Sequence, residues 1–472
     1  MSGSFWLDEA AQALESARPL SKQLEIAYDF QPPLLHLLLH FAIPFSQKEA
    51  WLRIWGALIP SLFTIYLTIK LGEKTLQKNT GALAGLLLGI SSFHIYFSQE
   101  LRPYALPALF ATLSWFIIIK NQKAKTIQLW SLVLSTIAGL YSSYLYPFIV
   151  IGQFGYALFN LRDTAKRQYF ISVLLAVLAF LPWMPKFLEQ LQVGGTLRQD
   201  LPGWEEVVSI PQLKAIPLTI AKFTFGVLDI TLTPFFLCVG LLLSISLLIG
   251  IFALMNKAKA NNLKILFIFV FWFIVPLFTA WLISFIVPVV QPKRMLAIHP
   301  AFVLLISACI TTLLAHKQKL YKVTGNLLLV TCIGVSIWST TQYYLNKNLQ
   351  RENWRDLHTQ ILTQYPKNSV VLFSFPEPFA PWTWYDKSNY PKMSTGVIHV
   401  SQLPDLSESL KRVTDYDTVL VFDYLRDLTD PDDTVLRTLK NFGYTEVKVL
   451  DYPGIGFVRV YSTQSKRLSI HL

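Results

Sequence analysis

Charge is scarce in this chain. Of its 472 residues only 15% are charged, whereas 53% are hydrophobic and the mean hydropathy is +0.42. Soluble globular proteins carry about 25% charged residues, so the deficit excludes an ordinary water-soluble protein. Cysteine is scarcer still. Cys238, Cys309 and Cys332 fall in apolar runs and form no CxxC pair, which excludes a disulfide framework and a thiolate zinc site and leaves them as small core residues. Low-complexity linkers and internal repeats are also missing. Acids are fewer than bases, 29 against 41, for a net charge of +12. The bases sit largely in short loops between apolar runs, so the surplus reports on membrane orientation, and nucleic acid is not an expected partner.

What the chain does have is long apolar stretches. "LTPFFLCVGLLLSISLLIGIFAL" (232–254) runs without a charge, against the roughly 20 residues needed to cross a bilayer. Spans are expected near 50–69, 80–98, 103–119, 127–142, 144–160, 169–187, 232–254, 264–287, 296–315 and 321–343. Five connecting loops are short and basic: Lys70, Lys74 and Lys78; Lys120, Lys123 and Lys125; Arg162, Lys166 and Arg167; Lys257, Lys259 and Lys264; Lys317, Lys319 and Lys322. The positive-inside rule puts them in the cytoplasm. Residues 127–160 lie between two such loops and must cross an even number of times, in two short passes. Residues 1–49, 98–104, 188–231, 289–295 and everything after about 344 then share the extracytoplasmic face.

The tail changes character. "SVVLFSF", "GVIHV", "DTVLVFDY", "TEVKVLD" and "GFVRVY" predict strands, and "LPDLSESLKRV" and "PDDTVLRTLKNFG" predict helices, the second with an acidic start and a Gly stop. The fold class expected is an α-helical multispanning membrane protein (1–343) with a C-terminal extracytoplasmic α/β domain (344–472).

Polar residues on the outer face are the candidates for chemistry. Asp8 and Glu9 in "SFWLDEA" are either the acidic first turn of a helix, favoured by its macrodipole, or carboxylates that deprotonate an acceptor at the membrane surface. Glu100, Arg102 and Tyr104 in "SSFHIYFSQELRPYAL" (91–106) crowd a turn between two spans. They are either a snorkelling Arg paired with Glu100 or part of a site. Lys293 and Arg294 in "VVQPKRMLAIHP" (289–300) are adjacent cations where the positive-inside rule disfavours them. A phosphate suits them, since Arg presents a planar fork of donors; contact with lipid headgroups is the alternative. His36 and His40 in "HLLLH" have metal-binding spacing, but no acid stands beside them on that helix, and no metal ligand is assigned.

These clusters, in this order, resemble the polyprenol-dependent glycosyltransferases of the GT-C fold, with the closest look to the bacterial members related to protein O-mannosyltransferases and aminoarabinose transferases. The resemblance rests on "SFWLDEA", "QPPLLHLLLHFAIPF", "LRIWGALIPSL", "SSFHIYFSQELRPYAL" and "KRMLAIHPAFVLLIS", and covers about 1–345; the tail from "NWRDLHTQIL" is similar to the external domain of such proteins. It implies a multi-pass plasma-membrane enzyme that moves a hexosyl or pentosyl group, with inversion, from a polyprenyl-phosphate-linked donor to a protein, lipid or glycan acceptor outside the cytoplasm. It further implies Asp8 as the essential acid with Glu9 as its neighbour and Glu100, Arg102 and Tyr104 as builders of the substrate site; Arg294, with Lys293 beside it, is assigned to the donor phosphate by charge and location more than by motif. The donor lipid and membrane lipids are the expected partners, the acceptor is unidentified, and a divalent-cation cofactor is left open. The family normally has a transmembrane helix just before the Asp-Glu loop, where this chain begins, so an upstream helix is expected in the full reading frame.

Two other classes compete. A transporter or lipid flippase with an external sensor domain would place ionisable residues deep in the spans; an inactive, truncated scaffold would use the tail to bind a partner. Orientation is directly testable. With the native cysteines removed, single cysteines at positions 123 and 259 should resist impermeant thiol reagents in intact cells, and cysteines at 199 and 407 should react. The opposite pattern would dissolve the outer-face assignment.

Overall fold

The computed structural model describes residues 1, 3–26, 29–122, 128–200, 210–230, 233–256, 260–287, 289–346, 349–365, 368–374, 376 and 379–463. Lys123, Lys125, Lys257 and Lys259 of the basic loops lie outside the described residues, as do the side chain of residue 199 and parts of the 188–231 segment. The chain packs as two compact units. One comprises Pro19–Gln190 and Val208–Leu349, the other Met1–Arg18, Leu191–Val207 and Gln350–Leu472.

The larger unit is helical. Among the described residues, six helices are long and apolar enough to cross a membrane: Glu49–Thr75, Asp163–Thr196, Pro234–Asn256, Leu263–Ile283, Pro292–Leu314 and Lys319–Leu345. Ala105–Lys120 and Leu129–Leu140 are shorter apolar helices. Helix Pro234–Asn256 leaves Phe235, Leu241, Leu248 and Phe252 exposed. A helix apolar on every side and bare on most of them is stable against lipid rather than water. Some hydroxyls inside the spans are satisfied locally. Thr64 donates to the Pro60 carbonyl (2.9 Å) and Thr68 to that of Thr64 (2.7 Å), one turn back each, as threonine does when no outside partner is present.

Helix Glu49–Thr75 packs backbone to backbone on Lys78–Ile90. A Cβ added at Gly81 would stand 2.4 Å from the Ile69 carbonyl oxygen, and one at Gly72 would stand 2.5 Å from the Cα of Gly81. Small residues permit this close approach, which replaces the missing hydrophobic drive between helices in lipid. The stretch 80–98, expected as one span, is two helices, Lys78–Ile90 and Ser92–Phe97. The break is at Ser91, whose backbone is extended and whose hydroxyl accepts the His94 N–H at 3.5 Å. That hydroxyl is a ready N-cap for a second helix.

The smaller unit is a sheet covered on both faces. Its strands are β1 (Ser369–Phe373), β2 (Lys392–Ser394), β3 (Thr418–Phe422), β4 (Tyr444–Tyr452) and β5 (Gly456–Thr463), in spatial order β2-β1-β3-β5-β4. The β1 strand runs parallel to β2 and β3; β5 runs antiparallel to β3 and β4. Both β1 and β3 are buried throughout, as their unbroken apolar runs require of central parallel strands. Val371, Phe373, Leu420 and Phe422 face a layer containing Trp354, Leu357 and Ile361; Val370, Leu372, Val419 and Val421 face Leu410, Val413, Val435 and Leu439.

One expected strand is absent. "GVIHV" (396–400) is bends and a short turn, and the edge strand β2 lies just before it. Gly396 has φ +73°, a conformation that ends an extended run and that glycine alone adopts freely. The predicted helix in "PDDTVLRTLKNFG" is Thr434–Asn441. Its acidic start works through Asp430, whose carboxylate accepts the N–H groups of Thr434 (2.7 Å) and Val435 (2.9 Å). Gly443, at φ +90°, follows its end.

The N-terminal helix α1 (Leu7–Ala17) belongs to this smaller unit and packs on helix Ala380–Tyr385. Phe5 is fully buried with its ring 5.6 Å from that of Trp384, and its N–H donates to the Tyr385 hydroxyl at 2.7 Å. Ala10 and Ala13 are buried as well, small enough on one face of α1 to let the two helices meet.

Candidate functional site

In the helical unit the clustering starts from Asp29, in the stretch before "QPPLLHLLLH". Its carboxylate lies 2.9 Å from Nε2 of the fully buried His36 and 3.6 Å from Nη1 of Arg102, and it accepts from the Gln31 amide. Burial by itself pushes the Asp29 carboxyl up, but the Arg102 guanidinium and the His36 bond outweigh it and hold the group down at about 2. The loop is tied from a second side by Gln190, whose amide donates to the Asp29 carbonyl (2.8 Å) and to that of Ile26. Gln190 in turn accepts the Tyr144 hydroxyl, and Tyr144 accepts the Trp183 indole N–H at 2.8 Å.

The turn holding Glu100, Arg102 and Tyr104 is tight, with the Arg102 N–H on the Glu100 carbonyl (2.9 Å) and the Tyr104 N–H on that of Arg102 (2.7 Å). Glu100 and Tyr104 are buried. Lys293 places its ammonium 5.9 Å from the centre of the Tyr104 ring, a cation–π separation. Its neighbour Arg294 donates to the Val289 carbonyl at 3.4 Å. Both stand on the turn Pro292–Ile298 that opens helix His299–Leu314. A small recess beside Arg294 is bounded by Ser143, Tyr146, Phe148, Pro276 and Ile298. Three segments far apart in sequence, around 29–36, 98–104 and 289–295, therefore meet in one unit.

His36 and His40 have separate partners. His36 bonds Asp29 and lies 3.0 Å from the Gln31 amide, while His40 Nδ1 lies 3.4 Å from the Gln23 amide. Among the described residues, no group of three or more His, Cys, Asp or Glu side chains could hold a metal.

Asp8 and Glu9 occupy the first turn of α1 in the smaller unit. Glu9 is fully buried and Asp8 partly so. No side chain caps α1 from Trp6, its own N-cap position. Instead the Leu7 N–H points to Oε2 of Glu352 at 3.4 Å. Glu352 also accepts the Trp354 indole N–H (2.6 Å) and the Tyr424 hydroxyl (2.7 Å). Burial pushes the Glu352 carboxyl up; its three donors pull it back and the nearby Asp8 charge adds to the rise.

Sequence reasoning missed Asp29, Gln190 and Glu352. Asp29 lies two residues before the "QPPLLHLLLH" motif, and an acid close to a histidine pair was the available signal. Glu352 in "RENWRDL" carries no periodicity or spacing that marks it out.

No family model and no curated protein matches the sequence. Solved structures do match the fold. ArnT from Cupriavidus metallidurans in the apo state has a TM-score of 0.57 and 10% identity over 98% of this chain and 94% of that one. The same protein bound to undecaprenyl phosphate gives 0.58 and 10% over 98% and 95%. Arabinofuranosyltransferase AftD from Mycobacteria gives 0.50 and 12% over 99% of this chain but 38% of its own length. The chain thus has the architecture expected of it: the helical GT-C fold with a small C-terminal sheet domain.

The Asp29 geometry has a measurable consequence. A carboxyl lowered from 3.8 to about 2 on folding stabilises the native state by about 2 kcal/mol above pH 4. That contribution is fully present above the unfolded value and is lost as pH falls through the folded one. Asp29→Asn should therefore lower the melting temperature of detergent-solubilised protein at pH 7, with the gap to wild type closing as the pH approaches 2. An unchanged gap at pH 3 and pH 7 would show that the ion pairing is not what holds the loop.

Proposed function

We propose that this protein transfers a sugar from a polyprenyl-phosphate-linked donor to an acceptor at the extracytoplasmic face of the plasma membrane. The observation that carries the proposal is the pair of adjacent cations, Lys293 and Arg294, on the turn that opens helix His299–Leu314, with Lys293 over the Tyr104 ring. A phosphate matches a guanidinium next to an ammonium. ArnT, which shares the fold, has been crystallised with undecaprenyl phosphate, and AftD is named for arabinofuranosyl transfer; both support this reading.

The chemistry needs a base and a charge acceptor. Asp8 takes the proton from an acceptor hydroxyl or amine as its oxygen or nitrogen attacks the anomeric carbon. The bond from that carbon to the phosphate oxygen breaks, and the electron pair leaves with the polyprenyl phosphate. Attack from the side opposite the phosphate inverts the anomeric centre, whether the sugar is a hexose or a pentose. Lys293 and Arg294 stabilise the charge that grows on the departing phosphate, the point at which fixed charges contribute most. Glu100, Arg102 and Tyr104 shape the site, with Tyr104 positioning Lys293 and Arg102 held by Asp29. A transporter would carry ionisable groups along its spans. Here the charged residues discussed stand at helix ends and in turns, which favours surface chemistry.

Membranes containing the protein, incubated with a panel of radiolabelled undecaprenyl-phosphate-linked sugars, should consume one label; consumption of none defeats the proposal. With that donor, Arg294→Ala should weaken donor use much more than Arg294→Lys, because an ammonium keeps part of the attraction but not the bidentate fork. Equal activity in all three proteins would reduce Arg294 to a headgroup contact. Asp8→Asn keeps the side chain's shape while removing the base, and should slow turnover roughly 10²–10⁴-fold. Wild-type turnover in that variant would leave Asp8 as a first-turn helix residue.

A further inference from the structure

We propose that Glu352 is the positioning residue for Asp8, so that the C-terminal domain supplies part of the catalytic machinery rather than an accessory module. The inference rests on the reading of Asp8 as the base.

The first turn of a helix has N–H groups without intrahelical partners, and a side chain normally meets one of them. Helix α1 has Trp6 at its N-cap, which provides no such bond. The partner comes from the other end of the sequence, as Glu352 accepts the Leu7 N–H. Leu7 immediately precedes Asp8, so the carboxylate that holds one fixes the backbone of the other. A carboxylate in place of a neutral cap also matches the positive end of the helix dipole.

Glu352 is itself held from several sides. Trp354, fully buried, clamps Oε2 through its indole N–H, and Tyr424 clamps Oε1. Its backbone is pressed by the turn between β4 and β5, where Gly454 has φ +81° and a Cβ would stand 3.3 Å from the Glu352 Cα. A side chain fixed at both oxygens and at its backbone is a rigid reference point, which is what positioning of a reacting group to within a fraction of an ångström demands. The Asp8 charge also adds to the rise of the Glu352 carboxyl.

The test combines kinetics with amide exchange. In Glu352→Gln the amide oxygen can still accept from Trp354 and Leu7 while its NH₂ turns to the Tyr424 hydroxyl, so the fold and the cap persist. Glu352→Ala removes the cap. With the undecaprenyl-phosphate sugar consumed in the panel, Glu352→Ala should lose on the order of 10²-fold in kcat with the donor KM unchanged, and Glu352→Gln should recover most of that loss. In an Asp8→Asn background Glu352→Ala should cost nothing further, because its effect passes through Asp8. Hydrogen exchange at the first turn of α1 should accelerate in Glu352→Ala and not in Glu352→Gln; this measurement needs no substrate. Unchanged exchange in Glu352→Ala, or a kinetic loss that adds in full to that of Asp8→Asn, would overturn the proposal. Full turnover by Asp8→Asn would instead bring down the base assignment, a different failure with a different signature.

Discussion

Helix Pro292–Leu314 has 94% of its apolar window buried inside the bundle, whereas the other five long helices have between 17% and 44%. A helix enclosed in this way cannot slide or rotate without opening cavities on one side and forcing overlap on the other, each costing on the order of 1–5 kcal/mol per large side chain. The fit is close in detail: a Cβ at Gly250 would stand 2.6 Å from the Cβ of Cys309, so even one methyl group is excluded there. The turn that opens this helix carries Lys293 and Arg294. Their depth is thereby set by the core, not by the flexible loops usual at a membrane surface. Tyr104, stacked edge-on to Phe97 at 5.2 Å, meets Lys293 from the same core.

Around that fixed turn the charges are arranged so that few stand alone. Asp29 balances Arg102 and engages His36. The cost of burying a carboxylate is large unless it is paired and hydrogen-bonded, and Asp29 has both kinds of partner. The Asp29–Arg102 pair therefore joins the loop before helix Leu34–Ala42 to the turn at 100–104. Gln190 extends the same connection to the end of a long helix. Polar bonding thus organises the ends of the helices, while small residues and apolar contacts organise their middles.

Much of this was legible in the sequence, and what was not has physical reasons. The long spans follow from hydropathy because backbone groups in lipid leave helices few alternatives. The break at Ser91 was not visible, since serine is common both inside spans and at caps. "GVIHV" has the composition of a strand, but Gly396 adopts a positive φ that composition does not announce. The three polar clusters were found one by one. Lys293 over Tyr104 and Arg102 against Asp29 are tertiary facts, and no local pattern encodes a pairing between distant segments. The same holds for Phe5 against Trp384: an aromatic near the start of a chain gives no sign that it is core to a domain built at the other end.

That last contact changes how the tail is understood. In open α/β sheets ligands gather beyond the carboxyl ends of the parallel strands, where chain direction leaves the strand ends uncovered. The β3 strand ends at Phe422, and two residues on Tyr424 reaches Glu352, which holds the start of α1. The acidic first turn is thus delivered to the kind of edge at which such sheets bind ligands. Burying Glu9 completely and holding the Glu352 carboxylate at the start of α1 both carry a desolvation cost. Structural economy would replace these groups with apolar ones. Their retention at the edge of the sheet is understandable if the carboxylates serve chemistry that apolar residues cannot perform.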